Sequence, residues 1–204
     1  MSEFGLTGGI GSGKSSASER LVSLGAGLVD ADATVKQLQG AGMPVFQAIV
    51  AHFGEAVVGS DGELNRPALA DIVFNDPEEL KKINELVHPA VRNDMAHQRE
   101  VLSRTHKIIV LDIPLLIESE NPIELAGIVV VDTPTEVAIE RLTSFRGFST
   151  EDANARISSQ VSRDTRLAKA DFVIDNSGDL ADLDAEIIRC WNWMSELDRQ
   201  ARRP

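Results

Sequence analysis

Short apolar runs rich in valine and isoleucine recur along the chain, and the stretches between them show helical periodicity. None of the runs alternates apolar with polar residues, which is typical of strands buried on both faces of a sheet. Because helical stretches separate the runs, crossovers must join the strands, which then run parallel. We therefore predict a three-layer α/β fold with a five-stranded parallel sheet, whose strands cover residues 4–7, 27–30, 107–112, 128–132 and 172–175.

The helical stretches are unevenly distributed. The long interval between the second and third strands contains no strand pattern, and its four predicted helices cover residues 44–53, 66–74, 77–86 and 89–102. The third of these helices has a clear start, because Asp76 is a favourable N-cap and Pro77 suits the first helical position. Two further helices are predicted at residues 150–162 and 180–197.

This distribution predicts one folded unit with two additions to a core. The core comprises residues 1–35, 105–143 and 170–204, a helical insert covers residues 36–104, and an arginine-bearing segment covers residues 144–169. The sequence shows no repeat, low-complexity tract or linker that would divide the chain into independent domains.

Composition narrows the range of partners. The chain has 204 residues and a formal net charge of −12, so it can bury a sizeable core and is a poor general binder of nucleic acid or anionic membranes. Cys190 is the single cysteine, which excludes an intrachain disulfide and a cysteine-rich zinc site and fits a reducing compartment. No apolar run could span a bilayer, and the first residues do not resemble a signal peptide. We therefore expect a cytoplasmic protein that binds phosphates, if at all, through local donors.

Residues 8–15, Gly-Gly-Ile-Gly-Ser-Gly-Lys-Ser, match the phosphate-binding pattern G-x-x-x-x-G-K-[ST] without a mismatch. Its glycines let main-chain N–H groups converge on phosphate oxygens, and the helix that follows adds its N-terminal dipole. Lys14 then places a charge between the β- and γ-phosphates, and the Ser15 hydroxyl is a ligand for Mg²⁺. A merely flexible turn is the alternative, but a strand precedes and a helix follows. The predicted nucleotide contacts in the loop are Gly9, Gly11, Ser12, Gly13, Lys14 and Ser15.

A phosphate loop alone does not distinguish kinases from GTPases or motor ATPases. The late part of the chain has no Asn/Thr-Lys-x-Asp segment, which a guanine-selective switch would carry, and the chain is short for a motor ATPase. The helical insert and the later arginines favour a small-molecule kinase, with the insert as the acceptor-binding part and residues 144–169 as a lid.

Two acidic residues at predicted strand ends are candidates for the chemistry, because the carboxyl ends of parallel strands face the ligand crevice. Asp32 follows the second strand, where it either accepts the proton of an acceptor hydroxyl or caps a helix that starts near Ala33. Asp112 ends the third strand, either as the acid that orients Mg²⁺ or as a solvated carboxylate. The residues alone leave both alternatives open.

Five late arginines could neutralise the charge on a transferring phosphoryl group. Several of them flank the predicted helix at residues 150–162, which suggests a closing lid. The alternative is a solvated helix face on which the acids at positions 151, 152 and 164 are their partners. His88 precedes a proline and is more typical of a capped loop position than of a ligand or base. The arginines are Arg141, Arg146, Arg156, Arg163 and Arg166.

Five segments resemble the dephospho-CoA kinase family, in order and at fitting intervals. They are Leu-Thr-Gly-Gly-Ile-Gly-Ser-Gly-Lys-Ser at 6–15, Asp-Ala-Asp at 30–32, Leu-Val-His-Pro at 86–89, Asp-Ile-Pro-Leu-Leu-Ile-Glu at 112–118 and Ala-Asp-Phe-Val-Ile-Asp-Asn-Ser-Gly at 170–178. The resemblance runs from about residue 5 to residue 178. Its combination of segments is specific, since other small P-loop kinases share the first and lack the rest.

The resemblance implies a fold of the P-loop nucleoside-triphosphate-hydrolase type, with a five-stranded parallel core, a helical domain that holds the CoA precursor, and a lid. It implies the last step of CoA synthesis, in which MgATP and dephospho-CoA give ADP and CoA. We expect no nucleic acid or membrane partner, and a monomer or weak homo-oligomer. Two alternatives remain open: a kinase for another small hydroxyl acceptor, such as a nucleoside or sugar acid, and a non-catalytic nucleotide-binding regulator.

The same resemblance implies roles for individual residues. Asp32 stands where the family has its catalytic base, and Lys14 and Arg141 stand where it has phosphate-stabilising groups. Asn176 corresponds to a contact near the ATP adenine. Ser16 replaces the more usual threonine and retains a hydroxyl for the α-phosphate. The segments that line the acceptor site contain His88, Leu115 and Glu118.

Overall fold

The computed structural model describes residues 1–118 and 123–203. Residues 119–122, which belong to the predicted core, and residue 204 lie outside the described part. Five strands form one parallel sheet in the order β2-β3-β1-β4-β5, which confirms the predicted α/β fold. The strands are β1 Ser2–Gly8, β2 Gly27–Asp30, β3 Ile108–Asp112, β4 Gly127–Asp132 and β5 Phe172–Asp175.

The central strand β1 carries the phosphate-loop sequence at its carboxyl end. It pairs with β3, which ends at Asp112, and with β4, in which Val131 lies opposite Gly8. β4 pairs in turn with β5, where Asp175 lies opposite Asp132. Because these strands are parallel, their carboxyl ends meet at one edge of the sheet, and this edge positions the candidate site.

Nine α-helices occur in the described residues. They are α1 Lys14–Ser23, α2 Ala31–Leu38, α3 Pro44–Phe53, α4 Arg66–Asn75, α5 Pro77–Ser103, α6 Thr135–Arg146, α7 Thr150–Ser158, α8 Arg163–Ala168 and α9 Leu180–Ala201. A single turn of 3-10 helix covers Glu55–Val57. The start signal at Asp76 is confirmed, because its Oδ1 accepts the N–H of Glu78 at 2.9 Å.

The predicted break in the middle of α5 is wrong. The helix runs without interruption through Pro89, so His88 lies inside a helix and not in a loop. A proline inside a helix removes one backbone hydrogen bond and strains the preceding turn. Ile83, Val87 and Met95 lie on both sides of the proline and are all buried, so packing of the helix face outweighs that cost.

The helix predicted at residues 150–162 is confirmed at its start, but it ends four residues early, since α7 covers Thr150–Ser158 and a separate helix, α8, begins at Arg163. The Ser162 hydroxyl accepts the N–H of Thr165 at 3.1 Å and caps a new helix start. The last helix, α9, extends to Ala201 and is longer than predicted. Its start is fixed by a capping box between Asp179 and Asp182.

The chain divides into two compact units, residues 1–29 with 101–204 and residues 30–100. The core of the first unit includes residues of the sheet such as Phe4, and Trp191 and Trp193 pack half-buried against it. Cys190 is fully buried in this core. Burial, followed by the charge of Glu186, raises the pKa of the Cys190 thiol to about 12.

The second unit has an apolar core of its own, formed by its helices and the segment that joins α3 to α4. The buried members of this core are Val45, Ile49, Val57, Leu64, Leu69, Val73, Ile83 and Val87. Among the helices described in the two units, none has both the length and the apolar character needed to cross a membrane.

Candidate active site

The loop between β1 and α1 has backbone torsions that its glycines permit. Gly11 and Gly13 have φ angles of 80° and 85°, in the left-handed region that favours glycine. Gly13 is the N-cap residue of α1, and a Cβ atom there would collide with the side-chain amide of Asn176. The first N–H groups of α1 thus follow directly on a tight turn, an arrangement that suits an anion.

Side chains that follow β4 and β5 hold the loop at Ser12. The side-chain nitrogen of Asn176 donates to the backbone oxygen of Ser12 at 2.7 Å. The Thr133 hydroxyl donates to the backbone oxygen of Asn176 at 2.9 Å and accepts from Nη1 of Arg141 at 3.3 Å. Asn176 and Thr133 are both buried, so these bonds are shielded from water and fix the loop from outside its own sequence.

Lys14 and Asp112 form an ion pair beside the loop. Asp112 is 2% exposed, so the alternative of a solvated carboxylate at this strand end is wrong. Ser15 is exposed in the first turn of α1, and Ser16 is half-buried next to it. A buried carboxylate, an ammonium group and two hydroxyls therefore lie in or beside the first turn of one helix.

The oxygen donors of Asp112 and Ser15 are of the kind that Mg²⁺ prefers. In the part of the chain that the structure describes, no group of three or more acidic, histidine or cysteine side chains could hold a metal ion. The two oxygen donors fit a Mg²⁺ ion, because Mg²⁺ is commonly bound through one or two protein oxygens together with substrate phosphates and water.

The chain between α7 and α8 contacts the loop and the end of β4. The N–H of Ile10 donates to Oε1 of Gln160 at 2.9 Å. Arg163 makes a two-point contact with the carboxylate of Asp132, at 2.8 and 2.6 Å. The hydrogen bond to Asp132 and its negative charge raise the pKa of Arg163. Both ends of this segment are thus fixed by polar contacts with the edge of the sheet.

The alternative in which nearby acids are the partners of the late arginines is wrong. Within residues 1–118 and 123–203, none of the five arginines forms an ion pair with the acids at positions 151, 152 and 164. Arg163 pairs with Asp132, and the guanidinium of Arg156 lies over the ring of Phe148, 4.7 Å from its centroid. The arginines therefore have partners other than the acids that neighbour them in the sequence.

Two cavities flank the loop. The first, of about 270 Å³, is bounded by the start of the loop, the end of β4 and the segment from α7 to α8. The second, of about 460 Å³, lies between α6, the other end of the loop and the turn after β5. Arg141, Arg146, Asn176 and Ser16 line the second cavity.

Asp32 lies in the second unit, exposed in the first turn of α2. The cap of this helix is Asp30, whose Oδ1 accepts the N–H of Ala33 at 2.9 Å. The helix begins at Ala31, earlier than predicted, so the alternative in which Asp32 is the cap is wrong. The carboxylate of Asp32 is therefore not used for capping.

The predicted acceptor contacts are distributed over both units. His88 is exposed on α5 and shares a groove with Lys81 and Arg92 in the second unit. In the first unit, Leu115 is 55% exposed. Glu118 accepts a long hydrogen bond of 3.4 Å from a backbone N–H through Oε1, and its Oε2 is buried without a hydrogen-bond partner among the described residues.

A family model for dephospho-CoA kinase matches residues 3–182. The chain belongs to the dephospho-CoA kinase family. Dephospho-CoA kinase from Thermobifida fusca is 41% identical to it over 200 residues, which cover 98% of each chain. The crystal structure of TT1252 from Thermus thermophilus is 36% identical with a TM-score of 0.80, and the match covers 94% of this chain and 97% of that one. Dephospho-CoA kinase from Campylobacter jejuni is 27% identical with a TM-score of 0.69, over 95% and 97% of the two chains.

Sequence reasoning missed three polar residues in this dephospho-CoA kinase family member. Asp132 ends β4 and Thr133 follows it, so the strand-end rule that selected Asp112 would have found both. Gln160 gave no signal, because a glutamine after a polar helix is common on protein surfaces. Its partner Ile10 lies 150 residues away in the sequence, and only the fold brings the two together.

Proposed function

We propose that this chain transfers the γ-phosphoryl group of MgATP to the ribose 3′-hydroxyl of dephospho-CoA, which yields CoA and ADP. The proposal rests on the phosphate loop, which Asn176 and Thr133 hold in place, and on the Lys14–Asp112 ion pair beside it. The chain that carries them belongs to the dephospho-CoA kinase family. An anion of high charge is what such a loop and helix start can bind.

In this proposal the nucleotide lies along the loop. The N–H groups of the loop and the Nζ of Lys14 bind the β- and γ-phosphates. The hydroxyl of Ser16 contacts the α-phosphate, and the base occupies the second cavity, of about 460 Å³. Asn176 lies in the wall of that cavity, although its amide nitrogen already donates to the loop. Arg141, which lines the same cavity, contributes a further positive charge.

Ser15 and Asp112 would hold Mg²⁺ together with phosphate oxygens and water. The ion would supply charge neutralisation to the β- and γ-phosphate groups. The Lys14 ammonium, which contacts Asp112, would then lie between two anions, the carboxylate and the phosphates, and would attract both.

Asp32 is the proposed base. Its carboxylate is exposed, and Asp30 performs the capping of α2, so it is available to accept the proton of the ribose hydroxyl as the oxygen–phosphorus bond forms. His88, Leu115 and Glu118 are the proposed acceptor contacts. We assign acceptor binding to the helical insert at residues 36–104 and the lid to residues 144–169.

We place this activity in the cytoplasm, with dephospho-CoA as a small-molecule substrate and neither nucleic acid nor membrane as a partner. The net charge of −12 supports the last two points, because a strongly acidic chain repels polyanions outside its local phosphate site. A monomer or a weak homo-oligomer is the assembly we propose.

The direct test is detection of CoA by mass spectrometry after incubation of the protein with dephospho-CoA and MgATP. In the Asp32→Asn variant we expect ATP binding to persist and turnover to fall by about 10²-fold or more, because the proton acceptor is lost. Asp30→Asn is the matched control, since asparagine caps a helix as well as aspartate and activity should be retained.

Two results would count against these assignments. Equal losses of ATP binding and turnover in the Asp32→Asn variant would show a structural role for this carboxylate. ADP release with a different hydroxyl acceptor, and none with dephospho-CoA, would favour the kinase for another small acceptor.

A further inference from the structure

Arg166 differs from the other late arginines in its surroundings. Its side chain is half-buried, and Nη1 donates to the backbone oxygen of Val161 at 2.5 Å. Within the described residues it has no carboxylate partner at ion-pair distance. The remaining N–H donors of this guanidinium are therefore not occupied by a carboxylate of the described residues and are of the kind that bind an anion.

The guanidinium of Arg166 lies against the main chain of Gly9. A Cβ atom at Gly9 would be 2.7 Å from Nη2 and 3.2 Å from Cζ of Arg166. Gly9 is not among the glycines with positive φ, so its backbone torsions do not require glycine. The absence of a side chain at this position therefore serves the close approach of the guanidinium to the phosphate loop.

The two cavities that flank the phosphate loop have different linings. Arg166 lines the first cavity beside Gly9 and Ile10, whereas Asn176 lines the second cavity beside Gly13. A nucleoside triphosphate whose base lies on the Asn176 side extends along the loop, with its terminal phosphate toward Arg166.

Arg163 is the nearest competitor for a phosphate role, and its geometry argues against one. Its guanidinium already makes the two-point contact with Asp132. It precedes Arg166 by three residues in α8, so this ion pair fixes the helix that carries Arg166. Arg163 thus holds α8 to the end of β4, whereas Arg166 has N–H groups available to bind an anion.

We propose that Arg166 binds the terminal phosphoryl group of the nucleotide and neutralises its charge during transfer. The inference rests on the proposed function only in requiring a nucleoside triphosphate on the loop. In the transfer, the bond between the γ-phosphorus and the bridging oxygen of ADP breaks and a bond to the acceptor oxygen forms. The acceptor proton passes to the base, and Arg166 forms no covalent bond while it stabilises the equatorial oxygens.

The first experiment compares two nucleotides by titration calorimetry. In Arg166→Ala the affinity for the non-hydrolysable triphosphate AMP-PNP should fall about tenfold, and that for ADP less than about twofold, because only the former has a terminal phosphate at this position. Equal losses for the two nucleotides would overturn the proposal. The comparison requires no acceptor, so it remains decisive even if dephospho-CoA is not the substrate.

The second experiment measures turnover. The kcat of Arg166→Ala should fall about 10²-fold with little change in KM for the acceptor, as when one donor to a transition state is removed. Arg166→Lys should retain part of the activity, and added guanidinium ion at tens of millimolar should restore part of it to the alanine variant alone. Arg189→Ala, which removes an exposed arginine paired with Glu186, is the control and should behave as the unchanged protein. A kcat for Arg166→Ala equal to that of this control would contradict the proposal.

Discussion

At the scale of single residues, the side-chain amide of Asn176 has a defined partner. Its nitrogen donates a hydrogen bond to the carbonyl oxygen of Ser12, at a distance of 2.7 Å. The same amide group occupies the space that a Cβ atom of Gly13 would need. The family resemblance implied a contact with adenine at this position. The structure adds a second role, in which Asn176 positions the phosphate loop whatever base the nucleotide carries.

These two roles predict different nucleotide preferences. In Asn176→Ala the buried carbonyl of Ser12 loses its donor, so we expect the affinity for ATP to fall about tenfold. Because this loss acts through the loop, the affinity for GTP should fall by the same factor and the ratio of the two affinities should not change. Fluorescence titration of both nucleotides measures this. Ser177→Ala, which alters the exposed neighbouring side chain, is the control, and a changed ATP-to-GTP ratio in the Asn176 variant would instead support direct reading of the base.

The residues of the phosphate loop could be predicted from sequence because a local motif dictates their backbone. The Asp30–Asp32 pair could not be resolved in the same way, since a shift of two residues in the helix start exchanges the capping residue. The partners of the arginines were also out of reach. Arg163 contacts Asp132, which is 31 residues distant, because the start of α8 lies beside the end of β4. No local sequence pattern predicts that contact.

At the scale of elements, α9 is fastened to the sheet at its C-terminal end. Asp198 is buried there, and it accepts hydrogen bonds from Ser2 at 3.1 Å and Arg202 at 3.0 Å. Burial alone would raise the pKa of Asp198, but the hydrogen bonds from Arg202 and Ser2 lower it below its ordinary value. The ionised carboxylate is therefore the form that stabilises the fold.

The lowered pKa of Asp198 determines how the free energy of unfolding depends on pH. A lowered pKa in the folded state adds stability above the unfolded-state pKa of about 4, and that stability is lost as the pH falls through the folded-state pKa. We expect Asp198→Asn to reduce the free energy of unfolding at pH 7 by about 1–3 kcal/mol, with a smaller difference from the unchanged protein near pH 3. Urea unfolding at the two pH values measures both. Asp184→Asn removes an exposed partner of Arg20 and should have little effect at either pH, whereas a difference for Asp198→Asn that grows in acid would contradict the assignment.

The strands were predicted more accurately than the helices, for a physical reason. A strand buried on both faces is an unbroken apolar run between polar turns, so its first and last residues can be read from the sequence. The bounds of β5, Phe172–Asp175, agree with the predicted ones. Helix limits depend on competing terms. Pro89 is a strong local stop signal, yet burial of one helix face on both sides of it keeps α5 continuous. At Ser162 the balance goes the other way, and a local cap starts a new helix.

At the scale of the whole molecule, two apolar cores and an acidic surface coexist with a site for a polyanion. The net charge is −12, whereas Lys14 and Arg163 at the site are each paired with a carboxylate. Arg141 and Arg166 have no such partner among the described residues. The long-range field thus opposes the approach of a nucleotide, and only short-range contacts attract it.

Salt separates these two contributions, because the screening length falls from about 30 Å at 0.01 M to about 8 Å at 0.15 M ionic strength. Repulsion by the whole surface acts over tens of ångströms and is screened first, while contacts within the loop persist. We expect the association rate constant of a fluorescent ATP analogue, measured by stopped flow, to rise about two- to fivefold over that range. A phosphate-free adenosine analogue is the control and should show no dependence on salt. A rate for the ATP analogue that falls with salt would mean that the local cations, and not the net charge of the chain, govern the encounter.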